Sequence, residues 1–217
     1  MTQVQILAML EKMASAVDDQ IKGQKVETNP SEAQKMSGNY PKAHIRLHGL
    51  DISIENPKGS TRRGKSKDGK EWSNKMHHHY GYFKQTEGKD KDHIDVFIGS
   101  KPESDTAFVV NQVNPGSGVF DEHKVMMGFS TQDEAEKAYL SNYEKGWKGL
   151  GSIEEVSVAD LKVWLKSGKT KTRFNPKSLA KAAACRRTME HFVYRNHCAC
   201  PLASFEYHKG RMKGRTS

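Results

Sequence analysis

The 217-residue chain has three cysteines, Cys185, Cys198 and Cys200, all close to its C-terminus. An odd count without framework spacing argues against a disulfide-stapled secreted fold. One residue separates Cys198 from Cys200, where zinc sites usually have two to four. Free thiols are the expectation. No apolar run approaches the roughly 20 residues that a membrane helix needs. The first twenty residues carry Glu11, Asp18 and Asp19 and lack a basic leading region, which makes a poor secretory signal. A cytoplasmic protein with no membrane partner is therefore expected. No internal repeat is visible either.

What is present is polar but not disordered, with 35% hydrophobic and 28% charged residues. This suffices for one well-buried domain with extensions. The net charge of +9 is unevenly placed. Residues 166–217 hold 13 Lys and Arg against 2 Asp and Glu, a net +11, while residues 1–165 hold 22 against 24, a net −2. A near-neutral body thus carries a cationic tail.

Val4, Leu7, Leu10, Met13, Val17 and Ile21 recur at three- and four-residue intervals, which predicts an amphipathic helix over 2–23. Residues 24–40 are turn-rich and polar and read as a linker. From Tyr40 onward, short apolar runs are cut by Gly, Pro and Asp. Residues 43–55, 93–99, 106–113 and 123–129 read as strands, and 57–72, 100–105 and 114–118 as loops. Their spacing predicts a small antiparallel barrel or a strongly bent sheet. Two helices follow, opened by Thr131-Gln-Asp-Glu134 and Ser157-Val-Ala-Asp160, the second closed by Gly168. Beyond Lys169 the period degrades, although AKAAACRRTMEHF reads as helical.

Three aspartates, Asp90, Asp92 and Asp95, fall within six positions just ahead of an apolar run. Carboxylates that close repel unless a cation neutralises them or one stays protonated. A solvated acidic loop is the plain reading. Two features argue for more. Asp121-Glu122-His123-Lys124 opens the next-but-one strand. The segment 57–75 is cationic, with Lys58, Arg62, Arg63, Lys65, Lys67, Lys70 and Lys75 against Asp68 and Glu71. Carboxylates beside Lys and Arg describe a place for a divalent metal and a phosphate together.

Tyr80-Gly81-Tyr82, Thr86, Asp90, Asp92 and Asp95-Val96 resemble the signature of soluble, family I inorganic pyrophosphatases, N-Y-G-Y followed by D-G-D-P-x-D. Glu55-Asn56-Pro57-Lys58-Gly59-Ser60 is similar to the family's E-I-P-x-G-S segment, and Glu122-His123-Lys124 to its D-x-K. The three segments come in family order. NYPKAHIRLHGLDISIENPKGS, FDEHKVMMGF and GWKGLGSI are closer still to the pyrophosphatase-like domains of bacteriophages and conjugative elements, which implies a viral or mobile-element origin.

The resemblance implies an α+β fold: an OB-like antiparallel β-barrel of about five strands with flanking helices. The divisions expected are an N-terminal helix and linker (1–38), the barrel domain (39–168) and a basic extension (169–217). It implies metal-dependent hydrolysis of pyrophosphate, with Mg²⁺, or Mn²⁺ or Zn²⁺, as cofactor. Asp90 and Asp95 would hold metal, with Asp121 or Glu122 covering the second metal and Glu55 in contact through water. Asp92 would help deprotonate the attacking water. Lys58, with Arg62 or Arg63, and Lys124 would bind phosphate, and Tyr80 would position phosphate or an acidic side chain. Tyr143, Lys145 and Lys148 stand for the family's late tyrosine and lysine.

The chain departs from the pattern at Lys91, where the family has glycine, at His93, where it has proline, and at Asn114, near which it has a further metal aspartate. His77, His78 and His79 either line the site as neutral groups or serve a softer metal. Two other readings stand beside the hydrolase. One is a pyrophosphatase-like binding protein without turnover, anchored to nucleic acid or a protein by its basic tail. The other keeps the chemistry on a nucleotide-derived phosphoanhydride. A second copy of the chain is among the expected partners.

Overall fold

The computed structural model describes residues 16–65, 69, 71–167 and 169–179. The expectations for residues 2–15, Lys67, Asp68, Lys70, Gly168, the cysteines and the C-terminal helix lie outside the described residues. The strands are β1 (Ala43–Leu47), β2 (Leu50–Asn56), β3 (Thr61–Lys65), β4 (Glu71–Lys75), β5 (His79–Phe83), β6 (Asp95–Ile98), β7 (Thr106–Val113), β8 (Phe120–Met127) and β9 (Leu150–Ser157). Helical residues 16–21 form α1, followed by α2 (Glu32–Ser37), α3 (Gln132–Ser141) and α4 (Val158–Lys166).

The fold is mixed α+β, but the expected five-stranded antiparallel barrel is not formed. Seven strands make one open sheet in the order β1-β2-β5-β6-β8-β7-β9, and β3-β4 make a separate two-stranded ribbon. The chain leaving β6 places β7 beyond β8, so β8 returns beside β6 as a parallel partner. Every other pairing in the sheet is antiparallel.

Three local readings change for physical reasons. The strand expected over 43–55 is a hairpin, because His48 and Gly49 both adopt positive φ (50° and 79°) in the manner of a two-residue turn. The cationic stretch 57–75 contains the paired strands β3 and β4, whose polar sequences carry no apolar alternation to reveal them. Within 24–40 lies α2, with a complete capping box between Ser31 and Gln34 and no buried residue. The caps expected at Thr131 and Ser157 are present, accepting from Glu134 N–H and Asp160 N–H.

The sheet buries both faces. On one, Val96, Ile98, Ala107, Val109, Val125 and Met127 pack with Val17 of α1 and with Leu161, Trp164 and Leu165 of α4. On the other, Tyr80, Phe97, Phe108, Val110 and Met126 pack with Ala135, Ala138 and Tyr139 of α3. The alternation of side chains along each strand sorts them this way. Strand β1 is an edge, and α1 covers part of it. Gln24 accepts from His44 N–H at 2.8 Å and donates to the His44 carbonyl at 2.8 Å, while Gln20 accepts from Arg46 N–H at 2.8 Å. Two glutamine side chains thus satisfy the backbone groups that would otherwise make a sticky edge.

Candidate active site

The Y-G-Y segment is built around its glycine. A Cβ at Gly81 would stand 1.9 Å from the Ser53 carbonyl oxygen, so only glycine lets β5 approach β2 this closely. The register shifts at the same place, pairing Ile54 with Gly81 and Asn56 with Tyr80 and leaving Glu55 without a partner. Bulges of this kind re-aim a side chain. Glu55 accepts a hydrogen bond from the Tyr40 hydroxyl. Burial pushes its carboxyl above the usual range, with Tyr40 and Lys42 pulling the other way and Asp95 adding to the rise.

The centre of the site is a row across adjacent strands on the α3 side of the sheet. Asp95 opens β6 directly opposite Lys124 of the parallel strand β8. Lys124, 3% exposed, donates to Asp95 Oδ2 and, at 2.7 Å, to Glu122 Oε2. Tyr80 O–H donates to the same Asp95 oxygen at 2.7 Å. Arg62 on β3 lies over the Tyr80 ring, 4.5 Å from its centroid. Burial opposes the Lys124 charge, yet Asp95 and Glu122 hold the ammonium well above its ordinary value. Burial drives the Glu122 carboxyl up, and Lys124 restrains the rise. Tyr80 is pushed up by burial and stays a neutral donor.

The acidic turn supplies the exposed part of the site. Thr86 staples the segment 84–94 by donating to the Phe83 carbonyl at 2.7 Å and accepting from Ile94 N–H at 2.9 Å. Asp90 accepts from Asp92 N–H at 3.2 Å, and Asp92 accepts from His93 N–H at 2.7 Å. Two of the three departures from the family motif lie here. Lys91 adopts φ 71°, the backbone region that favours glycine, the residue that the family motif has at this position. His93 contributes an N–H that proline would lack, stacks on Tyr82 at 4.6 Å and donates from Nδ1 to the Thr86 carbonyl at 2.7 Å.

Other expected residues separate. Arg63 is exposed on the ribbon face opposite Arg62, as strand alternation requires. Asp121 is exposed at a second bulge, where Gln112 pairs with Glu122 and Val113 with Phe120. The Lys58 side chain is exposed, and its N–H donates to His79 Nδ1 at 3.1 Å. Tyr143 reaches Gln112, whereas Lys145 and Lys148 are exposed on the same segment. The Asn114 side-chain oxygen is taken up by its own loop, accepting from Gly116 and Ser117 N–H at 3.0 and 3.1 Å. The three histidines serve different partners. His77 N–H donates to Asn142, His78 packs edge-on to Phe129, and His79 also contacts Asp18 at 3.0 Å.

Two residues of the site were not among the candidates that the sequence offered. Tyr40 is one of many tyrosines until the fold sets it against Glu55. Gln112 sits in an apolar run, and only the register of β7 on β8 sets it against Glu122, to which it donates at 2.6 Å.

Among the described residues, no three Asp, Glu, His or Cys side chains stand arranged to hold a metal ion. The donor chemistry nevertheless fits a hard divalent cation. Two cations, Lys124 and Arg62, face three carboxylates, Asp95, Glu122 and Glu55, leaving one carboxylate over, to which exposed Asp90 and Asp92 add.

The fold is thus an α+β domain in which the carboxylates Asp95 and Glu122 meet the Lys124 ammonium on adjacent strands. A family model described as Inorganic Pyrophosphatase matches residues 32–166, more than half of the chain. The chain belongs to that family. Comparison with curated proteins gives no match, and neither does comparison with solved structures. Among the described residues no helix is long and apolar enough to cross a membrane.

Proposed function

We propose that the protein is a divalent-metal-dependent hydrolase of phosphoanhydrides, with inorganic pyrophosphate as first substrate and Mg²⁺ as first metal. The observation that carries this reading is the surplus of carboxylate around Lys124, on a chain whose family is inorganic pyrophosphatase. Asp90, Asp95 and Glu122 would hold the metal, with Glu55 and Asp121 at the margin. Bound there, the cation supplies Lewis-acid polarisation of a phosphoryl oxygen and lowers the pKa of an attached water.

The chain's own groups do the rest. Asp92, in the exposed turn, takes the proton of the attacking water as general base. Water oxygen bonds to one phosphorus as the bridging P–O bond breaks, and the products are two phosphates. Lys124 and Arg62 spread the charge that develops on the leaving phosphate, and both are fixed before substrate arrives, Lys124 by its carboxylates and Arg62 over the Tyr80 ring. Tyr80 holds Asp95 in place. Lys58 adds positive charge at the lip. The cytoplasmic location, the bacteriophage or mobile-element branch, self-association, and nucleic-acid or protein binding by the basic tail belong to this proposal as well.

A rival reading keeps the fold without turnover. It has one observation on its side, that Asn114 caps its own loop and offers no carboxylate. A phosphate-release screen over pyrophosphate and nucleotides with Mg²⁺, Mn²⁺ and Zn²⁺ separates the readings. Release from pyrophosphate supports the proposal; release from nucleotides alone moves the substrate; no release under any condition favours the rival.

A further inference from the structure

We propose that Gln112 is a positioning residue for the carboxylate of Glu122, and that Trp147 and Tyr139 fix the direction in which its amide points. The inference rests on the reading of Glu122 as a metal ligand. Gln112 lies on β7, 5% exposed, on the same face of the sheet as the site. Its cross-strand neighbour is Glu122.

The direction of the amide follows from donors and acceptors alone. An indole N–H only donates, and Trp147 Nε1 donates to the Tyr139 hydroxyl at 2.9 Å. The Tyr139 oxygen therefore accepts from Trp147, and its own proton goes to Gln112 Oε1, 2.6 Å away. The Tyr143 hydroxyl donates to the same Gln112 oxygen at 3.1 Å. With the amide oxygen occupied by two hydroxyl donors, the amide nitrogen faces Glu122 Oε1 at 2.6 Å. Glu122, whose other oxygen pairs with the Lys124 ammonium, stands as the acceptor at the far end of the chain.

The consequence is a division of labour on Glu122. Gln112 takes one carboxylate oxygen and Lys124 the other. A half-buried carboxylate with one oxygen pinned by a directed amide has a fixed plane, which is what an oriented ligand needs. Outer partners of this kind typically change metal affinity or activity by about 10- to 100-fold when removed. Ring stacking holds the source of the chain in place, with Trp147 parallel to Tyr143 at 4.7 Å and 10°.

The test is calorimetric titration of the full-length protein with Mg²⁺, together with kcat, KM for pyrophosphate and melting temperature. Wild type, Glu122→Gln, Gln112→Met and Tyr139→Phe are compared. Mg²⁺ affinity is expected to fall about tenfold in Gln112→Met and by roughly threefold in Tyr139→Phe, which loses one of two orienting donors, with KM for pyrophosphate unchanged in both. A Gln112 with only a packing role would lower the melting temperature and leave Mg²⁺ affinity where it was, which overturns the proposal. If Gln112→Met does not fold, Tyr139→Phe decides: wild-type affinity there overturns it. Undiminished Mg²⁺ binding by Glu122→Gln overturns it too, by removing the ligand. A wild-type protein that neither binds Mg²⁺ nor releases phosphate defeats the hydrolase reading itself, an outcome distinct from the others.

Discussion

His123 and Lys124 are neighbours on β8, 1% and 3% exposed, yet they face opposite sides of the sheet and meet opposite fates. His123 lies against Trp164 and Phe120, with ring centroids 4.9 and 4.7 Å away. Neither ring nitrogen has a hydrogen-bond partner among the described residues. Burial pushes its pKa down to about 4. Lys124 keeps its charge because Asp95 and Glu122 are there to receive it. Burial alone therefore strips a charge, and burial among counter-charges preserves it. The same strand serves as apolar core on one side and as electrostatic scaffold on the other.

The harshest way to break this comparison is Lys124→Met. Asp95 and Glu122 would be left without their cation, an uncompensated burial that costs about 3–5 kcal/mol. Denaturant unfolding in the presence of a chelator reads that loss, and pyrophosphate turnover should vanish with it.

The apolar side responds to pH instead. The folded His123 pKa of about 4 lies below its ordinary 6.5, so between those values the unfolded chain binds the extra proton. Stability therefore rises with pH through this window, and about 3 kcal/mol from this group is lost as pH falls from 6.5 to 4. His123→Leu should leave stability at pH 7 within about 1 kcal/mol and flatten the acid limb. Urea midpoints at pH 4.5 and 7 test this, and an unchanged acid limb would contradict it.

Smaller changes sharpen the contrast further. On the site side, Lys91→Gly relieves a left-handed side-chain residue and should stabilise the turn by about 1 kcal/mol with activity retained. On the apolar side, Gln24→Ala frees the backbone edge of β1 and should cost about 0.5 kcal/mol. Thermal denaturation resolves the first; hydrogen exchange at His44 reads the second.

What the sequence made legible follows the range of the forces involved. Asp90, Asp92, Asp95, Tyr80 and Lys124 could be singled out as candidates because they sit in short runs with recognisable spacing. The caps at Thr131 and Ser157 could be read because a cap is a local hydrogen bond. Gln112 could not, since its meaning depends on a partner ten residues away across a bulge. The ribbon β3–β4 was hidden by its lack of apolar alternation, and Arg62 parted from Arg63 only once strand pairing fixed which side each faced. The open sheet eluded the sequence for the same reason. Nothing local in β6 or β8 announces that they pair in parallel.

The central claim is that the carboxylates around Lys124 and the acidic turn form one hydrolytic site. The most direct measurement is phosphate release from pyrophosphate by the full-length protein with Mg²⁺, wild type beside Asp92→Asn and Asp95→Asn. The account predicts turnover in wild type and a fall of roughly 100-fold or more in each variant. Asp92→Asn should keep wild-type stability, since it is exposed, and Asp95→Asn should lose some, since it faces Lys124. Turnover surviving unchanged in both variants would contradict it.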